Sequence, residues 1–569
     1  MTKLQAGPIT ALYENGFLRR ISYGETEVLR MIYFALRDQN WNTLTSQIEN
    51  ENLSIEEDHF EISYDCFHPY GGATAMEWKC SIAGQSDGTL RFEIRGVALK
   101  NFKKNRAGFC VLHPLNITGQ DCVITHPDQK TTTNRFPLEV APENPFKNIQ
   151  SMSWETAKIT FSLLFEGDIF ETEDQRNWSD ASFKTFCTPL DKPFPVELKK
   201  DEKVFQRITF KPRTTLQSVK GAPPHISFRK NHTLSVLPYM GIAASTEVTR
   251  VSETAVSLIR GLNLSHYRID VYPGKENWVS DFSNSYEDSF SLGLPSEVVL
   301  HLSENFLEEI ESFTIVCQQN RVKLRKVMPL PTNGLVTGQN LIDRLSGLKA
   351  IFPKVLFGAG TNYNFNEINK NHFSGREVDY ISFSIDPQEH AFDDLTIMEN
   401  IGAQEHLVRS AKAIYGKTMP VHISPLTLRK RFNPYATNAA DLFIEESKKA
   451  DPRQKEEFAA AWTFGSLCNL TKGEASAITF FQTIGNQGIL SSEGAPYPVY
   501  HTLKGFSPYQ GKSVSILESS DPLAAQGILL DGKLMGLVNL TQEEKAVRFD
   551  NSEYRLGAHE IWFEALHRA

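Results

Sequence analysis

The sequence predicts a multidomain fold of class α/β plus β. It comprises an N-terminal antiparallel β-sandwich over 1–212, a central (β/α)8 TIM barrel over 225–510 and a small C-terminal β domain over 511–569. Three observations carry that prediction. Residues 9–21 alternate apolar and polar on either side of Asn15-Gly16, a strong hairpin signal. Beyond about residue 230, short apolar runs alternate with helical patterns, as parallel βα units do. Residues 527–540 then return to alternation around Asp531-Gly532, a second hairpin signal. A chain of 569 residues also exceeds what one core serves.

In the first region, strands are expected at 60–64, 76–82, 90–98, 108–112, 158–164 and 205–210, and no sustained 3.6-residue period competes with them. One segment there is unlike a solvated loop. Residues 171–186 (ETEDQRNWSDASFKTF) crowd Glu173, Asp174, Arg176, Asn177, Asp180 and Lys184 around Trp178 and Phe183, which suggests a mutually satisfied polar network. Such a network seals one domain to the next, or else Arg176 or Lys184 reaches the barrel mouth to hold a ligand. Residues 210–229 are punctuated by proline and glycine and read as the crossing between domains.

Barrel strands are expected at 234–243, 266–271, 298–302, 323–330, 354–357, 380–385, 419–423 and 477–481. Between the third and fourth, Phe306, Leu307, Ile310, Phe313, Val316 and Cys317 form one helical stripe. The stretch 353–370 (PKVLFGAGTNYNFNEINK) organises the reading: a buried run breaks at Gly358 and Gly360 and opens into a polar tip, as a parallel strand does at its C-terminal end.

Composition narrows the function. A net charge of −9 and a pI near 6.0 give no electrostatic footprint for nucleic acid. No apolar run approaches the ~20 residues that span a bilayer, and the start lacks a secretory pattern. Seven scattered cysteines without CxxC spacing fit reduced thiols in a cytoplasmic protein. Neither nucleic acid nor membrane is therefore expected as a partner; oligomeric state stays open.

Barrel chemistry gathers at strand C-termini. The second strand offers Arg268 and Asp270 on one face, the fifth Asn366-Glu367, the sixth Gln388 and His390, the seventh His422 followed by Arg429, Arg431 and Asn433. The eighth ends in amides at Gln482. No His-x-His marks the first strand, and His390 with His422 are too far apart in sequence to indicate a metal, so no metal or cofactor is expected. There is no G-x-S-x-G elbow and no complete G-x-G-x-x-G. A retaining glycosidase needs two carboxyls facing across the scissile bond. The usual acid positions are empty here, although Asp270 or Glu493 are available to partner Glu367.

Several stretches together resemble the D-apionate lactonase family. They are residues 16–22 with 27–30, residues 105–114, the distinctive EDQRNWSDASFKT at 173–185, PQEHAFD at 387–393 and SPLTLRKRFNP at 424–434. The resemblance implies hydrolysis of a sugar lactone, D-apionolactone, to D-apionate in bacterial apiose breakdown; it brings no assigned catalytic residues. It also leads one to expect an acid ending the eighth strand, where this chain has Gln482. On that footing Glu367 or Asp270 is expected as the base that activates water. Arg268, Arg429 or Arg431 is expected to hold the oxyanion, and His390 or His422 to protonate the ring oxygen. Asn366, Gln388 and Asn433 would read hydroxyls. A glycoside hydrolase and a non-catalytic carbohydrate-binding relative are the alternatives.

Overall fold

The computed structural model describes residues 1–156, 158–213, 225–248, 250–433, 435 and 444–566. The chain divides into two compact units, Met1–Gln175 with Ala181–Pro223, and Arg176–Asp180 with Pro224–Ala569.

The first unit is built from two nine-stranded antiparallel sheets. One runs from Thr2–Ala6 through Thr26–Asp38 and Phe102–Pro114 to Phe146–Ile149, and the other from Thr131–Arg135 through Lys203–Pro212 to Gln47–Ile55. Inward residues of both, among them Phe34, Trp78, Phe92, Phe109 and Trp154, share one core, as alternation in half-buried strands requires. The Asn15-Gly16 turn joins Glu14 to Phe17 as expected, with both turn residues at positive φ.

That core holds two histidines uncharged. Trp78 Nε1 donates to His68 Nδ1 at 3.1 Å, and burial pushes this imidazole down to about 4. His113, against Thr185 Oγ1 at 2.8 Å, is pushed by burial to about 3. An unfolded chain protonates such residues near 6.5, so below that pH it takes up protons the fold refuses. The contribution is complete above pH 6.5 and is lost as pH falls towards 4 and 3. The melting temperature is accordingly expected to fall between pH 6.5 and 4, and His113→Gln, which cannot charge, to flatten that slope. An unchanged slope in thermal melts of the variant would count against this.

The second unit contains the closed parallel barrel. Its strands are β1 (Tyr239–Ala243), β2 (His266–Val271), β3 (Ser296–Leu302), β4 (Leu324–Pro331), β5 (Leu356–Gly360), β6 (Tyr380–Ile385), β7 (Val421–Leu426) and β8 (Ala477–Ile484). Pairing of β8 with β1 closes the ring. Three sequence expectations need correction. The run 234–243 is not one strand, because Pro238 lacks an N–H; Ser235–Val236 instead pairs with Ser513–Ile516 in a five-stranded C-terminal sheet. Gly358 and Gly360 do not break β5 but lie within it. A Cβ on Gly358 would stand 2.3 Å from the Tyr380 ring, so the glycine makes room for a large inward residue of β6. In the helix Phe306–Gln319, Phe313 and Cys317 are buried but Leu307 faces out. Glu309 turns inward instead, since its carboxylate accepts from Ser303 N at 2.7 Å and Ser303 Oγ at 2.6 Å.

A four-stranded sheet (Glu518–Ser519, Ile226–Arg229, Lys545–Phe549, Ser552–Leu556) completes the C-terminal strands, with the Asp531-Gly532 turn between Leu530 and Leu534. All seven cysteines are buried and unpaired. Among the described residues no helix is long and apolar enough to cross a membrane.

Candidate active site

Alternate residues of a barrel strand point inward. On β2 these are His266, Arg268 and Asp270; on β3, Glu297, Val299 and His301; on β7, His422 and Ser424. The sequence therefore stacks three layers, and the one at the strand C-termini is built around the Asp270 carboxylate.

Four groups converge there. Arg268 donates twice to Asp270, Nη2 to Oδ1 at 2.8 Å and Nε to Oδ2 at 3.2 Å. It also spans the barrel interior to Ser424 O at 2.5 Å and Oγ at 3.0 Å, and reaches Asn362 Oδ1 at 2.6 Å. Arg431 Nη2 binds Asp270 Oδ2 at 3.0 Å, while His301 Nε2 meets Oδ1 at 2.9 Å. Burial works against charge on Asp270, but Arg268, Arg431 and His301 outweigh it and hold the carboxyl well below the usual range. These partners favour Asp270 in its charged form and occupy both carboxylate oxygens, which argues against its expected role as base.

The same contacts equip His301. Because Asp270 only accepts, Nε2 carries the proton and Nδ1 keeps its lone pair. Burial lowers the imidazole's pKa, with Asp270 pulling the other way, and the ring lies flat on Tyr272 at 4.1 Å between centroids. His301 lines a cavity of about 20 Å³ with Tyr272, Asn362, Tyr363 and Phe432. Two neighbouring cavities, of about 20 and 30 Å³, are both lined by Arg431. The larger of these also holds Asp270 and Gln482. Arg431 Nη1 is buried and has no hydrogen-bond partner among the described residues. One carboxylate thereby holds a neutral imidazole on one oxygen and a guanidinium with a spare N–H on the other.

The smaller of the two cavities lined by Arg431 has an acidic, amide-rich wall. Glu389 accepts from Asn364 Nδ2 at 2.8 Å and from Lys430 Nζ at 3.1 Å. Beside it Asp386 is pushed well above the ordinary carboxyl range, first by burial and then by the Glu389 charge.

The other expected residues lie elsewhere or are otherwise engaged. Glu367 sits in the helix Phe365–Lys370 and lines none of these three cavities. Its Oε1 accepts from Tyr435 OH at 2.6 Å and Asn366 Nδ2 at 3.0 Å, and burial raises its pKa. Asn366 also reaches Tyr435 OH at 2.8 Å, so it serves that cluster. His390 Nδ1 is bound to Asp180 Oδ2 at 2.6 Å, with the Trp178 ring edge-on at 6.1 Å. His422 opens β7 instead of ending it, because the strand continues to Leu426; its ring stacks on Tyr380 at 4.3 Å, near the N-terminal end of the barrel. Gln388 and Arg429 both bind Asp451, at 2.8 and 3.1 Å, which orders the loops after β6 and β7. Asn433 is half-buried beside Phe432. Arg176 is fully buried, its Nη1 at 3.0 Å from His406 Nδ1. Lys184 pairs with Glu173 at 2.5 Å across neighbouring strands of the first unit. Gln482 exchanges hydrogen bonds with Thr246, its Oε1 accepting from N at 2.9 Å.

His301, Asn362, Asp386, Glu389 and Lys430 are absent from the expected set. Counting inward positions along β3 from Glu297 leads to His301, which is the signal that was available. Nothing in the sequence aims Lys430 at Glu389.

Family models identify both halves of the chain. Residues 1–215 match the D-apionate lactonase N-terminal domain, and residues 240–511 match the D-apionate lactonase TIM barrel domain. The chain belongs to the D-apionate lactonase family. A D-apionate lactonase of Brucella anthropi is 28% identical, over 96% of this chain and 93% of its own. Among solved structures, a glycoside hydrolase family 30 xylanase from Clostridium acetobutylicum aligns at TM-score 0.39 and 10% identity, over 60% of this chain and 99% of its own. A beta-arabinopyranosidase aligns at 0.30 and 8%, over 99% and 98%. Those two scores carry nothing about the reaction of this D-apionate lactonase family member.

Proposed function

We propose that this chain is a lactonase, a carboxylic ester hydrolase that opens D-apionolactone to D-apionate in the breakdown of apiose. The observation that carries the chemistry is the shared Asp270 carboxylate, which holds neutral His301 and the spare Nη1 of Arg431 at one rim. The substrate comes from the family and from the name of the Brucella relative.

In this reading His301 Nδ1 takes a proton from water as the water oxygen bonds to the lactone carbonyl carbon. The carbonyl oxygen becomes an oxyanion facing Arg431 Nη1. The tetrahedral centre then collapses by breaking its bond to the ring oxygen, and the proton on His301 passes to that departing alkoxide. The hydroxy acid leaves as its carboxylate, for which a guanidinium fork is well shaped. Asp270 orients the imidazole and balances its transient charge, as the buried acid of a catalytic triad does. Asn362, Asn364 and Glu389 are placed to read the sugar hydroxyls.

The test is proton release in a pH-stat from a panel of five-membered aldonolactones, run beside aryl glycosides. D-apionolactone is expected to be the fastest substrate and the glycosides inert. Cleavage of a glycoside with no lactone opened would replace this reading by a glycosidase, for which the Asp386 and Glu389 carboxyls would be the pair to examine.

A further inference from the structure

The N-terminal end of the barrel carries a second site. Near their starts β3, β4, β6 and β7 carry the inward residues Glu297, Lys326, Tyr380 and His422, polar where branched apolar residues dominate a barrel interior. They line a cleft of about 670 Å³ whose outer wall includes Val236 and Tyr239, 58% and 54% exposed. Small-ligand clefts commonly hold roughly 300–1,000 Å³, so space is ample.

Charges in this cleft are largely answered within the chain. Lys326 donates to Glu297, Lys412 to Glu474 at 2.8 Å and Lys349 to Asp379 at 3.2 Å. Apart from the exposed Arg325 at its edge, a charged ligand would have to enter among pairs already satisfied, at a desolvation cost with little return. Hydroxyl groups face no such cost. Lys326 and Glu297 keep N–H and lone-pair capacity beyond their mutual bond. His422 is more than nine-tenths buried, lines the cleft, and receives no hydrogen bond from the described residues. Burial, and then the Lys326 charge, holds that ring neutral, so it offers one donor and one acceptor. The Tyr239 ring and the Val236 side chain supply an apolar wall of the kind that covers the C–H face of a sugar.

We infer that this cleft binds a neutral, monosaccharide-sized polyol, with hydroxyls on Lys326, Glu297 and His422 and its C–H face against Tyr239. The inference does not depend on the lactonase reading, because this cleft shares no lining residue with the three cavities beside His301 and Arg431.

Saturation-transfer NMR titrations of the full chain test it, with D-xylose as the neutral probe, D-gluconate as the anionic one and cyclohexanol as the apolar one. D-xylose is expected to bind saturably, and Tyr239→Ala or Lys326→Met to raise its Kd about tenfold, the loss of one well-made contact. His301→Ala, at the opposite end of the barrel, should leave that Kd unchanged. Absent D-xylose binding, a Kd unmoved by Tyr239→Ala, loss in His301→Ala, or preference for D-gluconate or cyclohexanol overturns the inference. Tyr239 is half exposed, so its variant gives a reading even if Lys326→Met does not fold. No turnover enters the readout, which separates this result from the fate of the lactonase proposal.

Discussion

His301→Ala is expected to lower kcat for lactone opening by about 10²–10⁴-fold, the usual worth of a positioned general base. Among the residues holding Asp270, His301 alone is able to take a proton at neutral pH: Asp270 is favoured in its charged form and both arginines are permanently charged. Because the ring must be neutral to act, kcat/KM should fall as pH drops through its depressed pKa, on the acid side of 6.5. Above that range the limb should be flat. Steady-state rates of the variant from pH 4.5 to 8 provide the check, with circular dichroism confirming that the fold is kept. Glu367→Gln is the matched comparison, since Glu367 is tied to Tyr435 and lines none of the mouth cavities. A His301→Ala enzyme within tenfold of the parent, with Glu367→Gln inactive, would return the base to Glu367.

Arg268→Met is expected to cost about 3–5 kcal/mol of stability, as breaking a buried ion pair from one side does. The guanidinium is 1% exposed and its five hydrogen bonds join β2, β7 and the loop after β5. Its removal leaves Ser424 O and Asn362 Oδ1 without this donor in the barrel interior. Arg268→Lys should recover little, because an ammonium cannot reproduce the fork. Denaturant midpoints for the two variants measure this; a loss below about 1 kcal/mol would place the residue's importance elsewhere.

How much of this was readable beforehand varied by element. Asn15-Gly16 and the alternation around it announced a hairpin because a tight turn is a local event. The βα alternation announced the barrel, and period two put Arg268 and Asp270 on one face. The Glu367 expectation rested on a polar tip following a buried run, which is equally what a short helix over a barrel end looks like. His422 was misplaced because strand length was misjudged. Ending β7 at Ile423 instead of Leu426 moves an inward histidine from one end of the barrel to the other.

The amino-acid order alone determined the class of fold and the family, since propensity, turn residues and periodicity act over a few neighbours. Tertiary structure alone decided which polar residues meet. That depends on what stands across the ring: Arg268, Arg431 and His301 all meet the Asp270 carboxylate, which is why the proposed reaction takes His301 as its base. Those partners lie up to 161 residues apart in sequence, and only closure of eight strands brings their charges within hydrogen-bonding distance.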